Sequence, residues 1–216
     1  MLEAELAAGS LLIGEIAVTR RTSVVFELTH RADGNKRGVR SALAFSPHGA
    51  LEIARFDDAG KYRPLKTAPS LRRGWKIDVP HISEAIEVID AIYPARLAVW
   101  RAWKLGQLTT TSLRETLNRQ SGMYRVAGKI SDVQINQLVG DFCRSDGQCL
   151  RTILWRRNED GQMPSRKLPP EKFDPAHNQT GSGEKCIPLL CQEPCNLLVA
   201  ACREVVKDSG AAQACP

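Results

Sequence analysis

The seven cysteines of this 216-residue chain are distributed unevenly. None occurs before Cys143. Four of them form two close pairs, Cys143 with Cys149 and Cys191 with Cys195, and a long polar segment separates the pairs. A chain that used cysteine only as a small apolar residue would scatter it more evenly. The two pairs therefore predict a centre at which both ends of the polar segment meet, and this requirement constrains how the second half can fold.

The N-terminal segment lacks the features of a secretory signal. Glu3 and Glu5 stand where a basic region would be expected, and Gly14 and Glu15 interrupt the apolar stretch. No apolar run reaches the roughly 20 residues that are needed to cross a bilayer. We therefore expect a cytoplasmic protein without a membrane segment. In a reducing compartment, clustered cysteines are more often metal ligands or redox groups than disulfides.

Four thiolates suit either a zinc ion or an iron–sulfur cluster. Neither pair has the Cys-x2-Cys spacing that is common in zinc knuckles, and the wider spacings suit a cluster somewhat better. Apolar neighbours would exclude water from either centre, and these are Phe142, Leu150, Ile187, Leu189, Leu190 and Leu197. Spacing alone leaves three interpretations open: zinc, an iron–sulfur cluster, and buried thiols that only pack.

The remaining cysteines have different predicted roles. Cys202 follows Cys195 by two helical turns, which predicts that it packs on one helix face. Cys195 itself is expected in the first turn of this helix, where the positive end of the dipole favours a thiolate, and Pro194 is predicted as the first helical residue. Cys186 precedes an apolar run and is an undecided fifth ligand, whereas Cys215 is expected to be a tail thiol.

The pattern of apolar residues predicts the fold class α+β. Residues 1–80 are rich in aliphatic and β-branched runs such as LLIGEIAVTR and TSVVFELTHR, which predict a β-rich domain. The segment 51–66, with Asp57-Asp58-Ala59-Gly60 at its centre, is predicted to be a hairpin. Residues 81–216 predict a mainly helical domain.

Helix starts in the second part carry recognisable signals. Ser112 with Glu115 and Ser131 with Gln134 have the spacing of capping boxes. Two apolar helix faces are predicted, one formed by Ile82, Ile86, Ile89 and Ile92, and one by Val133, Ile135, Leu138 and Val139. Residues 157–185 are polar and rich in proline and glycine, which predicts a long loop between the cysteine pairs.

The chain is basic, with a formal net charge of +6 and a pI of about 9.0. A basic surface attracts nucleic acid or a ligand with several carboxylates, but a solvated positive face without a specific partner is equally consistent with the charge. Aromatic residues make up 6% of the chain and do not alternate with the basic groups, which disfavours nucleic acid. A four-cysteine zinc-binding module with a basic nucleic-acid-binding face is the alternative function.

The sequence contains no catalytic motif that we recognise. It has no Ser/His/Asp or Cys/His arrangement, no phosphate-binding loop and no dinucleotide fingerprint. Its histidines are widely spaced, at His30, His48, His81 and His177. Whether the chain is an enzyme stays open, and no catalytic residue is assigned.

Three motifs carry a resemblance to a known family: RQSGMYRV, FCRSDGQCLRTILW and LCQEPCNLLVAA. The region that contains them resembles the C-terminal 4Fe–4S binding region attached to some CbiX-like sirohydrochlorin cobaltochelatases. The β-rich first part resembles the stabilising region that precedes the cluster region in those proteins. Together the two resemblances cover most of the chain.

The resemblance implies a 4Fe–4S cofactor, with Cys143, Cys149, Cys191 and Cys195 as its ligands. It also implies an association with tetrapyrrole or cobalamin metabolism, as an electron-transfer or accessory protein whose partner is a chelatase-like enzyme or a tetrapyrrole. Chelatase activity is not implied, because the chelatase modules with their metal-binding histidines are absent. Arginine forks are natural partners for tetrapyrrole carboxylates, and the candidates are Arg125, Arg151 and Arg156.

Overall fold

The computed structural model describes residues 2–6, 9–23, 25–33, 41–43, 47–57, 59–63, 71–119, 128–139, 143, 149–156 and 185–213. The chain divides into two compact units, Met1–Gly106 with Asp174–Leu189, and Gln107–Phe173 with Leu190–Pro216. Strands and helices occur in the combination expected for the α+β class, which confirms the predicted fold class. In the described ranges, no helix has the length and apolarity of a membrane span.

The described strands are β1 (Ser10–Ile13), β2 (Ile16–Arg20), β3 (Phe26–His30), β4 (Ser41–Leu43), β5 (Trp75–Val79), β6 (Thr152–Ile153), β7 (Lys185–Ile187) and β8 (Leu190–Cys191). The described α-helices are α1 (Leu2–Leu6), α2 (Pro47–Arg55), α3 (Ile82–Ile92), α4 (Arg96–Lys104), α5 (Leu113–Arg119), α6 (Asp132–Val139) and α7 (Asn196–Gln213).

The first unit is built on a six-stranded sheet in the order β4-β5-β3-β2-β1-β7. The four central strands are antiparallel to their neighbours, whereas β4 and β7 pair in parallel with β5 and β1. A two-residue turn at Gly14 and Glu15 joins β1 to β2, and Gly14 adopts the left-handed conformation with φ of 59° that such turns use. The side chains of β3 are buried throughout, which places this strand at the centre of the core.

The hairpin predicted at residues 51–66 is largely wrong, because residues 51–55 belong to helix α2. Ala50, Ile53 and Ala54 are buried at helical spacing, so a helix can place them on one face whereas a strand would divide them between two faces. Of the predicted hairpin, the structure contains an isolated antiparallel bridge between Phe56 and Tyr62.

The predicted boundary at residue 80 also differs from the structure. Helix α3 contacts α2, β3 and β5, so it packs on the sheet and belongs to the first unit, together with α4. The buried face of α3 consists of Ala85, Val88, Ile89 and Ile92. Ile86, which was predicted to lie on that face, is 38% exposed. The spacing of the isoleucines alone predicted the wrong buried face. Ala85 and Val88 also recur with the helical period, and they lie on the side that is buried.

The second unit packs α5, α6 and α7 with the two-stranded parallel sheet of β6 and β8. The predicted capping box at Ser131 is confirmed, since Ser131 and Gln134 each donate a backbone N–H to the side chain of the other. At Ser112 the cap itself is present, because the Glu115 backbone N–H donates to Ser112 Oγ over 3.0 Å, while the Glu115 carboxylate pairs with Arg119. The predicted face of α6 is correct for Ile135 and Val139 but wrong for Val133, which is 76% exposed.

Helix α7 begins two residues later than predicted. The Cys195 carbonyl accepts the Val199 backbone N–H, so Cys195 caps the helix and Pro194 precedes it. Leu198 and Cys202 are buried on one face, as predicted. Of the predicted loop at 157–185, only Lys185 lies among the described residues, where it begins β7.

Candidate metal centre

Cys191 is the best-positioned of the predicted ligands. It ends the short strand β8, where it lies opposite Ile153 of β6, and its carbonyl accepts the Leu154 backbone N–H over 3.0 Å. The side chain is buried, and its thiol donates a hydrogen bond of 3.0 Å to the Glu193 carbonyl. A parallel strand pair thus fixes this cysteine on a rigid element.

The surroundings of Cys191 bring other sulfur atoms close to it. Burial is the main cause that raises the pKa of the Cys191 thiol, and the neighbouring Cys149 and Cys195 raise it further. The positive charge of Arg151 and the side chain of Trp155 act in the opposite direction and lower this pKa. Because such electrostatic effects act over short distances, Cys149 of the first pair and Cys195 of the second both lie near Cys191.

Cys149, Cys195 and Cys143 are each half-buried. The Cys149 sulfur accepts the Arg151 backbone N–H over 3.4 Å. Cys143 and Cys195 pack against the hydrophobic core of the second unit, which also contains Cys191. Three of the four predicted ligands therefore border one hydrophobic core, and Cys149 lies near one of them, Cys191.

The donor set is the first test of which centre these cysteines suit. Across the described ranges, no group of three or more His, Cys, Asp and Glu side chains is placed to hold a metal ion. A zinc ion requires its sulfur ligands at about 2.3 Å from one point, whereas in a four-iron cluster each cysteine binds a different iron. An all-sulfur donor set suits the cluster chemically.

Two buried N–H groups beside these cysteines provide a second test of the fit. Within the described part of the chain, Arg151 Nε and Trp155 Nε1 are buried and have no hydrogen-bond partner. A buried donor that lacks a partner costs about 1–3 kcal/mol, so native structures usually provide an acceptor. An anionic iron–sulfur centre would be such an acceptor, and the residues present therefore fit a cluster. Trp155 was not predicted as a functional residue, because an apolar run such as LRTILW by itself indicates only a buried segment.

The remaining three cysteines lie in different parts of the chain and differ in their surroundings. Cys202 has 0% exposure and lies inside the hydrophobic core, which confirms its prediction as a packing residue. Burial raises its pKa to about 11, so it is a neutral thiol at physiological pH. Cys186 lies in β7 of the first unit, opposite Leu12 of β1. Cys215 lies outside the described residues.

Of the candidate arginines and the histidines, only Arg151 is shown near the cysteines by the described residues. Arg125 and His177 lie outside the described residues, as does the side chain of His48. Arg156 is exposed, whereas Arg151 is half-buried and its Nε is buried. His30 is buried in the first unit, where its Nε2 lies 3.6 Å from a Glu15 carboxylate oxygen.

Comparison with known proteins agrees with the cysteine geometry. A family model described as a 4Fe-4S iron-sulfur cluster binding domain matches residues 105–204, and one described as the DR2241 stabilising domain matches residues 2–104. The boundary between the two matches falls close to the division between the structural units, after Gly106. No curated protein sequence matches the chain.

A solved structure, that of DR2241 from Deinococcus radiodurans, resembles the chain with a TM-score of 0.69 and 24% sequence identity. It is described as a multi-domain protein with structural similarity to chelatases and with two additional novel domains. The match covers 92% of the present chain but 39% of the solved one, so this chain corresponds to less than half of that protein. At this identity the likeness supports the fold alone.

The predicted resemblance and the predicted 4Fe–4S cofactor are confirmed by the family match, and the zinc alternative finds no support in it. The two models together extend over residues 2–204 and meet without a gap. Residues 2–104 of the chain therefore match the DR2241 stabilising domain, and residues 105–204 match the 4Fe-4S iron-sulfur cluster binding domain.

Proposed function

We propose that Cys143, Cys149, Cys191 and Cys195 hold the 4Fe–4S cluster, and that the chain is a redox or accessory partner of a chelatase-like enzyme that acts on a tetrapyrrole. The observation that carries the ligand assignment is that Cys143, Cys191 and Cys195 share one hydrophobic core, with Cys149 and Cys195 near the sulfur of Cys191. Cys202 is set apart, because it lies wholly inside that core.

Coordination by four cysteines has a consequence for the role of the cluster. When bound, the cluster supplies one-electron redox chemistry. If each iron has a cysteine ligand, no iron is left open for a substrate. Three of the four cysteines are half-buried, so they border solvent at one side of the core. Electron transfer near the surface therefore fits this site better than catalysis at an open iron.

The inferred partner rests on two observations. The solved relative is a longer protein with structural similarity to chelatases, and the present chain spans 39% of its length. The chain is also basic, with a net charge of +6, which suits a ligand with several carboxylates such as a sirohydrochlorin-type tetrapyrrole. We infer that a chelatase-like activity is supplied by another polypeptide segment and that this chain supports it.

The ligand assignment is tested by anaerobic purification, followed by iron and acid-labile sulfide analysis. The wild-type chain should contain about four of each and should show visible absorption that dithionite bleaches. Cys→Ser at any of the four ligand positions should remove most of the iron. Cys202→Ala is the matched control and should retain it. Full iron content in a Cys149→Ser or Cys195→Ser variant would contradict the assignment.

The tetrapyrrole link is tested separately, by titrating the purified chain with sirohydrochlorin and recording its absorption spectrum. Binding that weakens as salt is raised is the expected result, because the attraction between a basic protein and carboxylates is screened. Absence of a spectral change even at low ionic strength would argue against a tetrapyrrole ligand. That outcome would leave the cluster assignment intact.

A further inference from the structure

Arg151 and Trp155 stand at either end of the short strand β6, whose partner β8 carries Cys191. The register of the parallel pair places Ile153 opposite Cys191, so the residues before and after β6 flank this cysteine. The Leu154 backbone N–H, which donates to the Cys191 carbonyl over 3.0 Å, holds the two strands together at this point. A rigid element thus presents both side chains to the cysteine site.

Both side chains carry a buried N–H group. Arg151 Nε and Trp155 Nε1 are buried, and neither makes a regular hydrogen bond in the ranges that the structure describes. Such donors are rare in native proteins and call for an acceptor. A third N–H of the same segment, the Arg151 backbone amide, already donates to the Cys149 sulfur over 3.4 Å. Residues 151 and 155 thus carry three N–H groups in a segment that lies close to Cys149 and Cys191.

The position of these groups indicates which acceptor they suit. Arg151 and Trp155 both lie near the sulfur of Cys191. The indole N–H of Trp155 faces that sulfur without the geometry of a regular hydrogen bond. N–H groups and a positive charge beside cysteine sulfur also suit the sulfur atoms of an anionic cluster.

We propose that Arg151 and Trp155 are positioning residues that donate N–H groups to the sulfur atoms of the cluster site and thereby raise its reduction potential. This inference rests on the proposed ligand set. Addition of one electron, from a donor such as dithionite, makes the four-thiolate site more negative. N–H donors and a nearby positive charge stabilise the reduced form more than the oxidised form, so the potential rises.

The test is a potentiometric titration of anaerobically purified protein, with the reduced cluster followed by electron paramagnetic resonance. Trp155→Phe retains the ring and removes the N–H. At the wild-type midpoint, its ratio of reduced to oxidised cluster should fall about tenfold, which corresponds to a potential about 59 mV lower for one electron. Trp100→Phe is the matched control, because Trp100 is buried in the first unit, and it should titrate like the wild type.

Arg151→Met is the independent second variant, because it removes the guanidinium but leaves the backbone amide that donates to Cys149. Its midpoint should also move to lower potential, and it keeps the proposal testable where Trp155→Phe loses its cluster. Wild-type potentials in both iron-loaded variants would overturn the tuning role alone. Wild-type protein that binds no cluster through the four cysteines would overturn the proposed ligand set and this inference together.

Discussion

Substitution of Gly14 by alanine should destabilise the first unit through a steric conflict that the structure defines. Gly14 lies in the turn between β1 and β2 with φ of 59°. A Cβ at this position would lie 2.9 Å from Leu189 Cδ1 and 2.9 Å from Tyr93 Cε2. Both side chains are buried, so neither can move aside into solvent. The Tyr93 hydroxyl also accepts the Glu15 backbone N–H over 3.2 Å, and a displaced ring would weaken this bond.

The expected loss follows from three contributions. A non-glycine residue in the left-handed conformation costs about 1 kcal/mol. Crowding of a packed core costs about 1–3 kcal/mol, and a weakened hydrogen bond about 1 kcal/mol. The free energy of unfolding of the first unit should therefore fall by about 3–5 kcal/mol. Gly106→Ala is the matched control, since Gly106 has φ of 66° and nothing within 4 Å of its added Cβ. It should lose only about 1 kcal/mol.

The measurement is urea unfolding under anaerobic conditions, followed by far-ultraviolet circular dichroism and tryptophan fluorescence. Of the four tryptophans in the chain, three lie in the first unit and one in the second, so the two signals together separate the transitions. The midpoint of the first transition should shift while its slope stays the same, as expected for a change in stability without a change in exposed surface. Equal losses for the Gly14 and Gly106 variants would refute the reasoning, because they would leave no cost for the contacts with Tyr93 and Leu189.

Further predictions concern the second unit. Ser131→Ala should lower its free energy of unfolding by about 1 kcal/mol, since it breaks the capping box with Gln134, whereas Val133→Ala at the 76% exposed position should change it by less than about 0.5 kcal/mol. Equal effects in urea unfolding would contradict the cap. Cys202 has a pKa of about 11 in the folded protein against 9.0 for the ordinary thiol. Below pH 9 it is protonated in both states; between pH 9 and 11 the unfolded chain releases its proton first, so stability should fall as pH rises. Cys202→Ala should lose that part of the pH dependence, and an unchanged slope would show that the thiol titrates normally.

Sequence patterns correctly predicted the features that depend only on residues close together in the chain. The helix caps at Ser112 and Ser131 were predicted correctly because a cap is formed within four residues of the chain. The face of α3 was less well predicted, because Ala85 and Val88 face the core while Ile86 does not. Which side of a helix is buried depends on the element against which it packs, and in α3 that element is the sheet.

The boundary between the two structural units was also difficult to predict from local sequence patterns. A change from strand to helix pattern near residue 80 suggested a boundary, but α3 and α4 belong to the first unit because α3 packs on its sheet and α4 packs on α3. Strand β7 belongs to that unit as well, since it pairs with β1 from more than a hundred residues away. Alternating and helical patterns report local conformation, whereas long-range pairing determines which elements share a core.

By itself, the sequence predicted an iron–sulfur cluster region in the second half, since two close cysteine pairs in motifs of a known family are confined to that part of the chain, and a family model matches there. It also separated Cys202 from that centre, because helical spacing already placed it on the face of α7 that is buried. Only the tertiary structure decided which N–H groups surround the sulfur atoms. The parallel pairing of β6 with β8 brings Arg151 and Trp155 beside Cys191, and this proximity arises from hydrogen bonds between distant segments rather than from any local pattern.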